Sequence, residues 1–383
     1  MPRRQATSLV VALAFVVLGL PDFAHGTAWP DMRADLGRPL ADLGTFLVLH
    51  TVAYTVVAMT TGRLAARWSV EGLVVRATLC SATGLATIAL APAWPVVLAG
   101  SVLLGAGSGG MDTGFNAAVA LRHDPRLMGL LHAGYGVGAA LGPMVVGVSL
   151  AAGGGWRPPY AIFATAALLL VVPLLGRSLG DAPAQQPLGS PRGVLLPCLA
   201  FVLYVALETT VGQWAFTSLT EDRGLGDLAA SVWVGVYWVG LTAGRLWLGL
   251  AGHRHTVSRL LAAAVAGAGA GALLLWLGGP VAPLGLPLTG LALSVVFPLL
   301  MLVTPERVGE ARAAAAVGWQ TAASSLGAAV GPATAGVVLD ARGIGAYGPV
   351  ALAMAAGLAV VLGVLRPGAA RPATVPTLSP PAT

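Results

Sequence analysis

Long apolar runs, separated by short polar or glycine- and proline-containing breaks, fill the chain from residue 7 to residue 366. Each run has roughly the 20 residues that a helix needs to cross a bilayer. The breaks predict twelve spans, at residues 7–30, 42–67, 70–91, 94–121, 126–152, 156–177, 193–219, 228–251, 256–278, 281–304, 309–338 and 345–366. Several spans exceed the necessary length, which predicts tilted helices or helical ends beyond the lipid. The predicted fold class is therefore an all-α polytopic membrane protein.

Composition supports this class. The 383 residues are 56% hydrophobic and 9% charged, against about 25% charged in soluble domains. Although the net charge is +6, the basic residues are scattered singly, so the sequence predicts no nucleic-acid-binding stripe. All 21 basic residues are arginines in a chain rich in alanine, glycine and leucine, which indicates a GC-rich bacterial genome. We expect a multi-pass protein of the bacterial cytoplasmic membrane.

The arginines also predict the orientation. With the N-terminus inside, sixteen arginines fall in inner loops and termini and five in outer loops. This is the positive-inside bias of membrane proteins. An even number of spans then puts both termini in the cytoplasm. The apolar start after Arg3 and Arg4 imitates a signal peptide, but the many later spans favour a first transmembrane helix.

The two halves of the chain echo one another. Three patterns recur in the same order, namely Gly62-Arg63-Leu64 as Gly244-Arg245-Leu246, Gly138…Gly142-Pro143 as Gly327…Gly331-Pro332, and Asp22…Gly26…Trp29 as Glu208…Gly212…Trp214. We interpret them as an internal duplication, with chance matches in a glycine-rich chain as the alternative. The predicted organisation is a six-helix bundle at 1–177, a cytoplasmic linker at 178–192, a second six-helix bundle at 193–366, and a disordered proline-rich tail at 367–383.

An acid and an amide stand one helical turn apart in the fourth span. Asp112 and Asn116 point the same way from a helix, and Asn116 is the only asparagine in the chain. An ionisable side chain inside a membrane is costly and marks a pathway for ions or substrate. Asp112 is our first candidate for proton coupling, and Asn116 for binding a hydroxyl-rich solute. The alternative is an interhelical hydrogen-bonded pair without a transport role.

Three further residues are candidates for proton coupling. Glu208 and Asp22 are acids in the seventh and first spans, with a position near the membrane face as the alternative for each. Histidine is the side chain that can change charge near neutral pH, which makes His132 a candidate, but it lies close to the start of its span, where a cytoplasmic gate or cap is the alternative. Carboxylate and amide oxygens also ligate Na⁺, so sodium remains open as the coupling ion.

Aromatic and amide side chains within the spans are candidates for binding the solute. The residues are Tyr135, Gln213, Trp214, Tyr237, Trp238 and Gln320. Aromatic rings can stack on a sugar ring, and Trp29 offers a further ring of this kind. Anchoring at the membrane interface is the alternative for all the aromatic candidates, and for Trp29 it is the favoured one.

Twelve spans in two similar halves, joined by a central loop and carrying Gly-Arg after the second span, resemble the major facilitator superfamily. The resemblance covers nearly the whole chain and implies two bundles that rock about a central solute site. The family's loop motif has an aspartate where this chain has Ala66, so we expect the gate to be held differently. The gating and structural candidates are Gly62, Arg63, Arg67, Gly142, Pro143, Gly244, Arg245, Gly331 and Pro332.

The fourth span, Asp112-Thr113-x-x-Asn116, is similar to an acid-Thr-x-x-Asn motif of the fucose–galactose–glucose:proton symporters. The segments at 132–136 and 204–214 are similar to the same group, whereas Asp22 lies out of register with the family's first-span acid. The resemblance implies proton-driven uptake of a small polar, sugar-like solute.

Two other functional classes remain open. Proton-antiport export of a drug or metabolite is favoured by Gly138-x-x-x-Gly142-Pro143-x-x-x-Gly147, which resembles a fifth-span motif of antiporters. A membrane protein without transport activity is the third class, and no extra soluble domain supports it. The G-x-G-x-x-G match at 105–110 has no surrounding strand, so we interpret it as close helix packing. We expect the protein to be a monomer without enzymatic activity, cofactor, metal site or nucleic-acid partner.

Overall fold

The computed structural model describes residues 2–120, 125–175 and 194–365. The predicted linker at 178–192 and the tail at 367–383 lie outside these residues. Within them the chain forms helices joined by short turns: α1 (Pro2–Asp22), α2 (Ala24–Asp35), α3 (Asp42–Ala89), α4 (Trp94–Ala120), α5 (Pro125–Ala151), α6 (Arg157–Leu174), α7 (Leu195–Thr217), α8 (Asp227–Ala251), α9 (Val257–Leu277), α10 (Gly285–Leu293), α11 (Val296–Leu302), α12 (Thr304–Val308), α13 (Glu310–Arg342) and α14 (Tyr347–Val364).

The prediction of an all-α polytopic membrane protein is confirmed. Ten segments of the described chain are long and apolar enough to cross a membrane. The predicted number of twelve is reached only if α3 is counted as two spans and α8, which is not among the ten, is included. Large apolar side chains also face outward, as lipid contact requires; on α6, Leu169 and Val172 are 67% and 68% exposed.

The second and third predicted spans meet at a sharp break inside α3. Ser69 has φ 64° and ψ 163°, a backbone conformation that residues other than glycine rarely adopt. Its hydroxyl accepts a hydrogen bond from the Gly72 amide at 3.1 Å and so caps the second helix. The Arg76 guanidinium lies 4.9 Å from the centre of the Trp68 ring and donates to the Gly72 carbonyl. Local capping and stacking therefore hold the turn that follows Ala66, while Arg63 and Arg67 are exposed beside it.

A second break separates α1 from α2 at Phe23, inside the first predicted span. Gln213 of α7 bridges this break from 187 residues away. Its side-chain oxygen accepts from the Gly26 amide at 2.9 Å, and its nitrogen donates to the Asp22 carbonyl at 2.8 Å. A Cβ on Gly26 would lie 2.1 Å from the Gln213 carbonyl oxygen, so only glycine fits. The break leaves Asp22 at the end of α1.

Equivalent glycines pack equivalent helices in the two halves. A Cβ on Gly142 of α5 would lie 1.9 Å from the Leu20 carbonyl oxygen of α1. A Cβ on Gly331 of α13 would lie 2.5 Å from the Cα of Ala206 on α7. Both glycines precede a proline within their helix. The recurring Gly-Pro pattern therefore performs the same task twice, which supports the predicted duplication.

Residue contacts divide the chain into two compact units. The first takes its described residues from Met1–Gln185, Gln213–Gly235 and Pro332–Ala341, and the second from Gln186–Gly212, Val236–Gly331 and Arg342–Thr383. The first unit has a large apolar core to which α1, α3, α4, α5 and α6 contribute, with Phe15, Met111 and Phe115 buried in it. A smaller apolar cluster in the second unit contains Val194, Val308 and Ala316.

Candidate functional site

The polar pair of the fourth span forms as predicted. The Asn116 side-chain nitrogen donates to the Asp112 carboxyl at 2.8 Å and to the Asp112 carbonyl at 3.0 Å. A third residue, Tyr54 of α3, donates its hydroxyl to the other carboxyl oxygen of Asp112. Nothing in the sequence pattern singled out Tyr54, because a tyrosine in an apolar span is unremarkable by itself.

Glycines explain why α3 comes so close to Asp112. A Cβ on Gly109 would lie 2.4 Å from the Tyr54 carbonyl oxygen, and a Cβ on Gly105 would lie 2.1 Å from the His50 carbonyl oxygen. The backbones of α3 and α4 are therefore nearly in contact along this face, as small residues permit. The interpretation of the segment 105–110 as a helix-packing motif is confirmed.

A second carboxyl belongs to the same cluster. Tyr135 of α5 donates its hydroxyl to one Asp22 carboxyl oxygen at 2.8 Å. The other Asp22 oxygen is buried and has no hydrogen-bond partner among the described residues. Asp22 and Asp112 are close enough to interact electrostatically. We call Asp22, Tyr54, Asp112 and Tyr135 the carboxyl cluster; each of its acids accepts a hydrogen bond from a tyrosine.

Two histidines that the sequence analysis did not consider lie near the carboxyl cluster. His25 of α2 and His50 of α3 have ring centres 6.0 Å apart, and His25 Nδ1 lies 2.9 Å from the Tyr160 hydroxyl. His50 precedes Tyr54 by one helical turn, and His25 follows Asp22 by three residues. The predicted histidine, His132, is exposed on α5, with its ring 6.4 Å from the Phe15 ring.

The acid of the seventh span has its own polar surroundings, all within the second unit. Tyr204 donates its hydroxyl to Glu208, and Tyr237 donates to the Glu208 carbonyl at 2.8 Å. The Arg245 guanidinium lies 3.9 Å from the Glu208 carboxyl, whose side chain is 12% exposed. Arg245, predicted as a gating residue, thus contacts a predicted coupling residue. A Cβ on the neighbouring Gly244 would lie 2.0 Å from the Ser294 hydroxyl, so this helix face is tightly packed.

The other predicted solute ligands are buried in the protein. The Tyr237 and Trp238 rings meet edge-to-face at 4.7 Å, and both side chains are at most 3% exposed. Trp214 donates its indole N–H to the Pro332 carbonyl at 3.0 Å. Gln320 pairs with the Thr304 hydroxyl at 2.9 Å. Each ring or amide therefore has an internal structural contact.

A group of charged contacts lies beyond the end of the first span. Arg33 pairs with Glu221 at 2.6 Å, linking the first span to the residues that follow the seventh. Arg157 pairs with Asp35 at 2.6 Å, and the Leu40 amide donates to Asp340 at 3.0 Å. Trp29 also lies here, fully buried, and donates its indole N–H to the Leu40 carbonyl. Interfacial anchoring of Trp29, the favoured alternative, is wrong because its ring packs inside the protein against Trp94 at 5.5 Å.

Within the described ranges, no group of three or more histidine, cysteine or acidic side chains is arranged to hold a metal ion. What the carboxyl cluster can do chemically is bind and release protons. A tyrosine hydroxyl can donate to a carboxylate and can accept from a carboxylic acid, so it remains a partner in both protonation states.

Two curated proteins resemble the chain in sequence. It is 28% identical over 377 residues to a chloramphenicol resistance protein of Streptomyces lividans, covering 93% of this chain and 94% of that protein. It is 25% identical over 281 residues to Bypass of stop codon protein 6 of Saccharomyces cerevisiae, covering 63% of this chain. The match spans only 56% of the yeast protein's length.

Solved transporter structures share the fold. A variant of the nucleoside transporter NupG superposes with a TM-score of 0.78 at 15% identity, covering 94% of this chain and 98% of that one. A bacterial homologue of the human lysosomal transporter Spinster, in an inward-facing and occupied conformation, gives 0.71 at 14% identity and covers 95% of both chains. The family model of the Major Facilitator Superfamily matches residues 11–332. The chain therefore belongs to the Major Facilitator Superfamily: it is a multi-pass membrane transporter and not an enzyme.

Proposed function

We propose that this transporter couples proton movement to the passage of a small polar, sugar-like solute by symport across a bacterial cytoplasmic membrane. The chain would act as a monomer, with both termini in the cytoplasm and the bundles 1–177 and 193–366 rocking about the solute. The single observation that supports coupling best is the carboxyl cluster, in which Asp22 and Asp112 each accept a hydrogen bond from a tyrosine hydroxyl.

A charged side chain inside a membrane is costly. Two neighbouring carboxylates in a medium of low dielectric repel one another, so holding at least one proton relieves the repulsion. Within the described residues, the ion pairs involve neither Asp22 nor Asp112. A proton is thus the simplest counter-charge. Na⁺, which carboxylate and amide oxygens also bind, is the alternative counter-charge.

The residues divide into roles under this proposal. Asp112 carries the transported proton, and Asn116 offers a hydrogen-bond donor and an acceptor to a solute hydroxyl. Asp22 shares the proton through the cluster. Glu208, held by Tyr204 and beside Arg245, is the corresponding acid of the C-terminal half.

The test measures proton movement in proteoliposomes upon addition of a panel of sugars, nucleosides and lipophilic cations. We expect one solute class to drive proton uptake in the wild type, and Asp112→Asn to abolish it without changing the melting temperature by more than a few degrees. Glu306→Gln, which neutralises an exposed acid of α12, is the matched control and should transport normally. Full coupled transport in Asp112→Asn would overturn the assignment. Dependence on a Na⁺ gradient rather than a pH gradient would identify sodium as the coupling ion.

A second candidate function is export of a drug or metabolite by proton antiport. It is supported by the 28% identity to the chloramphenicol resistance protein over nearly the full length of both chains. The antiporter-like motif from Gly138 to Gly147 lies on α5, which also carries Tyr135 of the carboxyl cluster. The sign of the proton movement separates the two functions, because a symporter moves protons with the solute and an antiporter against it. Chloramphenicol-driven proton release and raised resistance in a sensitive host would favour export.

A further inference from the structure

His25 and His50 form an imidazole pair in the first unit, in which His25 is buried and His50 is half-buried. The His25 side chain is 2% exposed, and its Nδ1 is paired with the Tyr160 hydroxyl of α6 at 2.9 Å. The backbone at His50 packs closely on α4, where a Cβ on Gly105 would lie 2.1 Å from the His50 carbonyl oxygen. The Phe46 ring, 4.5 Å from the His25 ring, closes one side of the pair. Tyr160 and Phe46 therefore hold the His25 ring in place, and its centre lies 6.0 Å from the centre of the His50 ring.

Each ring has one buried nitrogen without a hydrogen-bond partner among the described residues. These two atoms are His25 Nε2 and His50 Nδ1. A buried polar atom without a partner loses its hydrogen bonds to water and gains none in return, and native proteins avoid this almost everywhere. Two such atoms on neighbouring rings indicate a common partner. A water is the usual solution where several polar atoms border one small space.

We propose that His25 Nε2 and His50 Nδ1 bind one water between them and together form a second proton-binding site, separate from the carboxyl cluster. One set of tautomers satisfies every group without net charge. Tyr160 donates to His25 Nδ1, His25 Nε2–H donates to the water, and the water donates to His50 Nδ1, which leaves the ring proton of His50 on Nε2. An added proton binds at His50 Nδ1, which then donates to the water instead of accepting from it. Because His25 Nε2–H donates to the same water, protonation of His50 changes the hydrogen bonding of both rings.

The position of the pair suggests what it serves. His50 lies one helical turn before Tyr54 of the carboxyl cluster on α3. His25 lies on α2, the helix whose end carries the ion-paired Arg33 and Asp35. A proton held there can pass through water to the cluster or away from it. Tyr160 of α6 is the titratable group in direct contact with the pair. The neighbouring helices also carry Tyr54 and Cys80 on α3, Asp22 on α1, Asp112 on α4 and Tyr135 on α5. This role in transport rests on the proposed proton coupling, whereas proton binding by the pair does not.

The test is nuclear magnetic resonance of the full chain in nanodiscs, with ¹⁵N-labelled histidine and no solute. His25→Gln and His50→Gln assign the two side chains among the six histidines. We expect the His25 ring N–H to show exchange with water despite its burial. Each variant should shift the titration midpoint of the remaining partner by roughly one pH unit, a tenfold change in proton affinity. His255→Gln, an exposed histidine stacked on Trp247, is the control and should shift neither.

Independent titration of the two histidines, or a His25 N–H without contact to water, would overturn the proposal. Tyr160→Phe guards against misfolding of the glutamine variants, because it keeps both imidazoles and removes only the donor to His25 Nδ1. It should change the His25 tautomer, and an unchanged ¹⁵N spectrum would contradict the proposed network. The outcome is separable from the proposed function, since loss of coupling in Asp112→Asn is measured as flux and pairing of the histidines as a spectrum.

Discussion

Tyr54 donates a hydrogen bond to Asp112 across the closely packed face between α3 and α4. The contact turns the fourth-span acid from an isolated ionisable side chain into one end of a four-residue cluster. Because Tyr135 makes the same kind of contact with Asp22, the two acids have matching partners from different helices. A tyrosine partner holds a carboxyl in place without adding a charge, whereas an arginine or lysine partner would add a positive charge.

The first prediction follows from that contact. Tyr54→Phe keeps the ring that packs on α4 and removes only the hydroxyl, so the protein should still fold, with the modest loss of stability that removing a buried hydrogen bond causes. We expect proton-coupled transport to fall by roughly tenfold to a hundredfold, consistent with a lost hydrogen bond to a charged group of about 1.5–3 kcal/mol. Solute-driven proton flux in proteoliposomes measures the effect. Tyr347→Phe, which removes a hydroxyl from a backbone carbonyl contact elsewhere, controls for loss of a buried tyrosine hydroxyl; equal losses in both variants would contradict a specific role for Tyr54.

The second prediction concerns the glycine that seats α5 on α1. Gly142→Ala places a methyl group 1.9 Å from the Leu20 carbonyl oxygen, so the helices must separate. We expect a loss of about 1–3 kcal/mol, the usual cost of overpacking. Thermal unfolding in detergent measures it. Gly269→Ala on α9, where nothing lies within 4 Å, is the control and should raise stability slightly, because alanine favours helix by about 1 kcal/mol. Equal effects at the two positions would show that packing does not decide the result.

Sequence pattern predicted the helices and the polar pair well, because a membrane requires long apolar runs and penalises every exception. Asp112 and Asn116 stand out against such a background. Tyr54, His25 and His50 did not, because tyrosine and histidine occur in apolar spans for many structural reasons. Their importance depends on which helix faces meet, and that is fixed by glycines on the partner helix, such as Gly109.

Gln213 is a polar residue that did stand out in the sequence, but its contacts in the structure are to the backbone. A glutamine in an apolar span suggested a solute ligand, yet both ends of its amide bond the backbone around the break at Phe23. No local pattern announces that a helix break will be completed by a side chain 187 residues away. Polar residues of a membrane protein therefore divide into those that serve the solute and those that repair the backbone, and only packing separates the two.

The third prediction tests this assignment. Gln213→Ala leaves the Gly26 amide without its acceptor, so we expect a loss of about 1–3 kcal/mol in stability. Gln213→Glu keeps an oxygen for Gly26 and loses the donor to the Asp22 carbonyl, so its loss should be of the same sign. Melting temperature and the KM of solute-driven proton flux are measured together. An unchanged melting temperature with a strongly raised KM would instead support the original interpretation as a solute ligand.

The fourth prediction concerns Glu208 and Arg245. Removing Arg245 leaves a largely buried acid without its nearest cation, so Arg245→Leu should destabilise the protein. Adding Glu208→Gln should recover part of that loss, because no charge then remains unpaired. We expect a coupling free energy of about 1 kcal/mol or more in a double-mutant cycle of thermal unfolding. Strict additivity of the two substitutions would show that the 3.9 Å approach carries no energy.

The final prediction contrasts two ion pairs with the same N–O distance of 2.6 Å. Arg33–Glu221 joins residues 188 positions apart from different halves of the chain, whereas Arg157–Asp35 joins α6 to α2 within one half. If the predicted bundles 1–177 and 193–366 move relative to one another during transport, that motion changes the separation of the first pair, whereas the second pair lies within one bundle. Arg33→Glu should therefore change the turnover rate, the double variant with Glu221→Arg should restore it, and raising salt from about 0.1 M to about 1 M should shrink the difference.

Arg157→Glu is the control and should lower stability by no more than about 1 kcal/mol, with turnover unchanged. Equal effects of the two reversals on turnover would contradict a gating role for Arg33–Glu221, because the pair within one half cannot report the motion between halves.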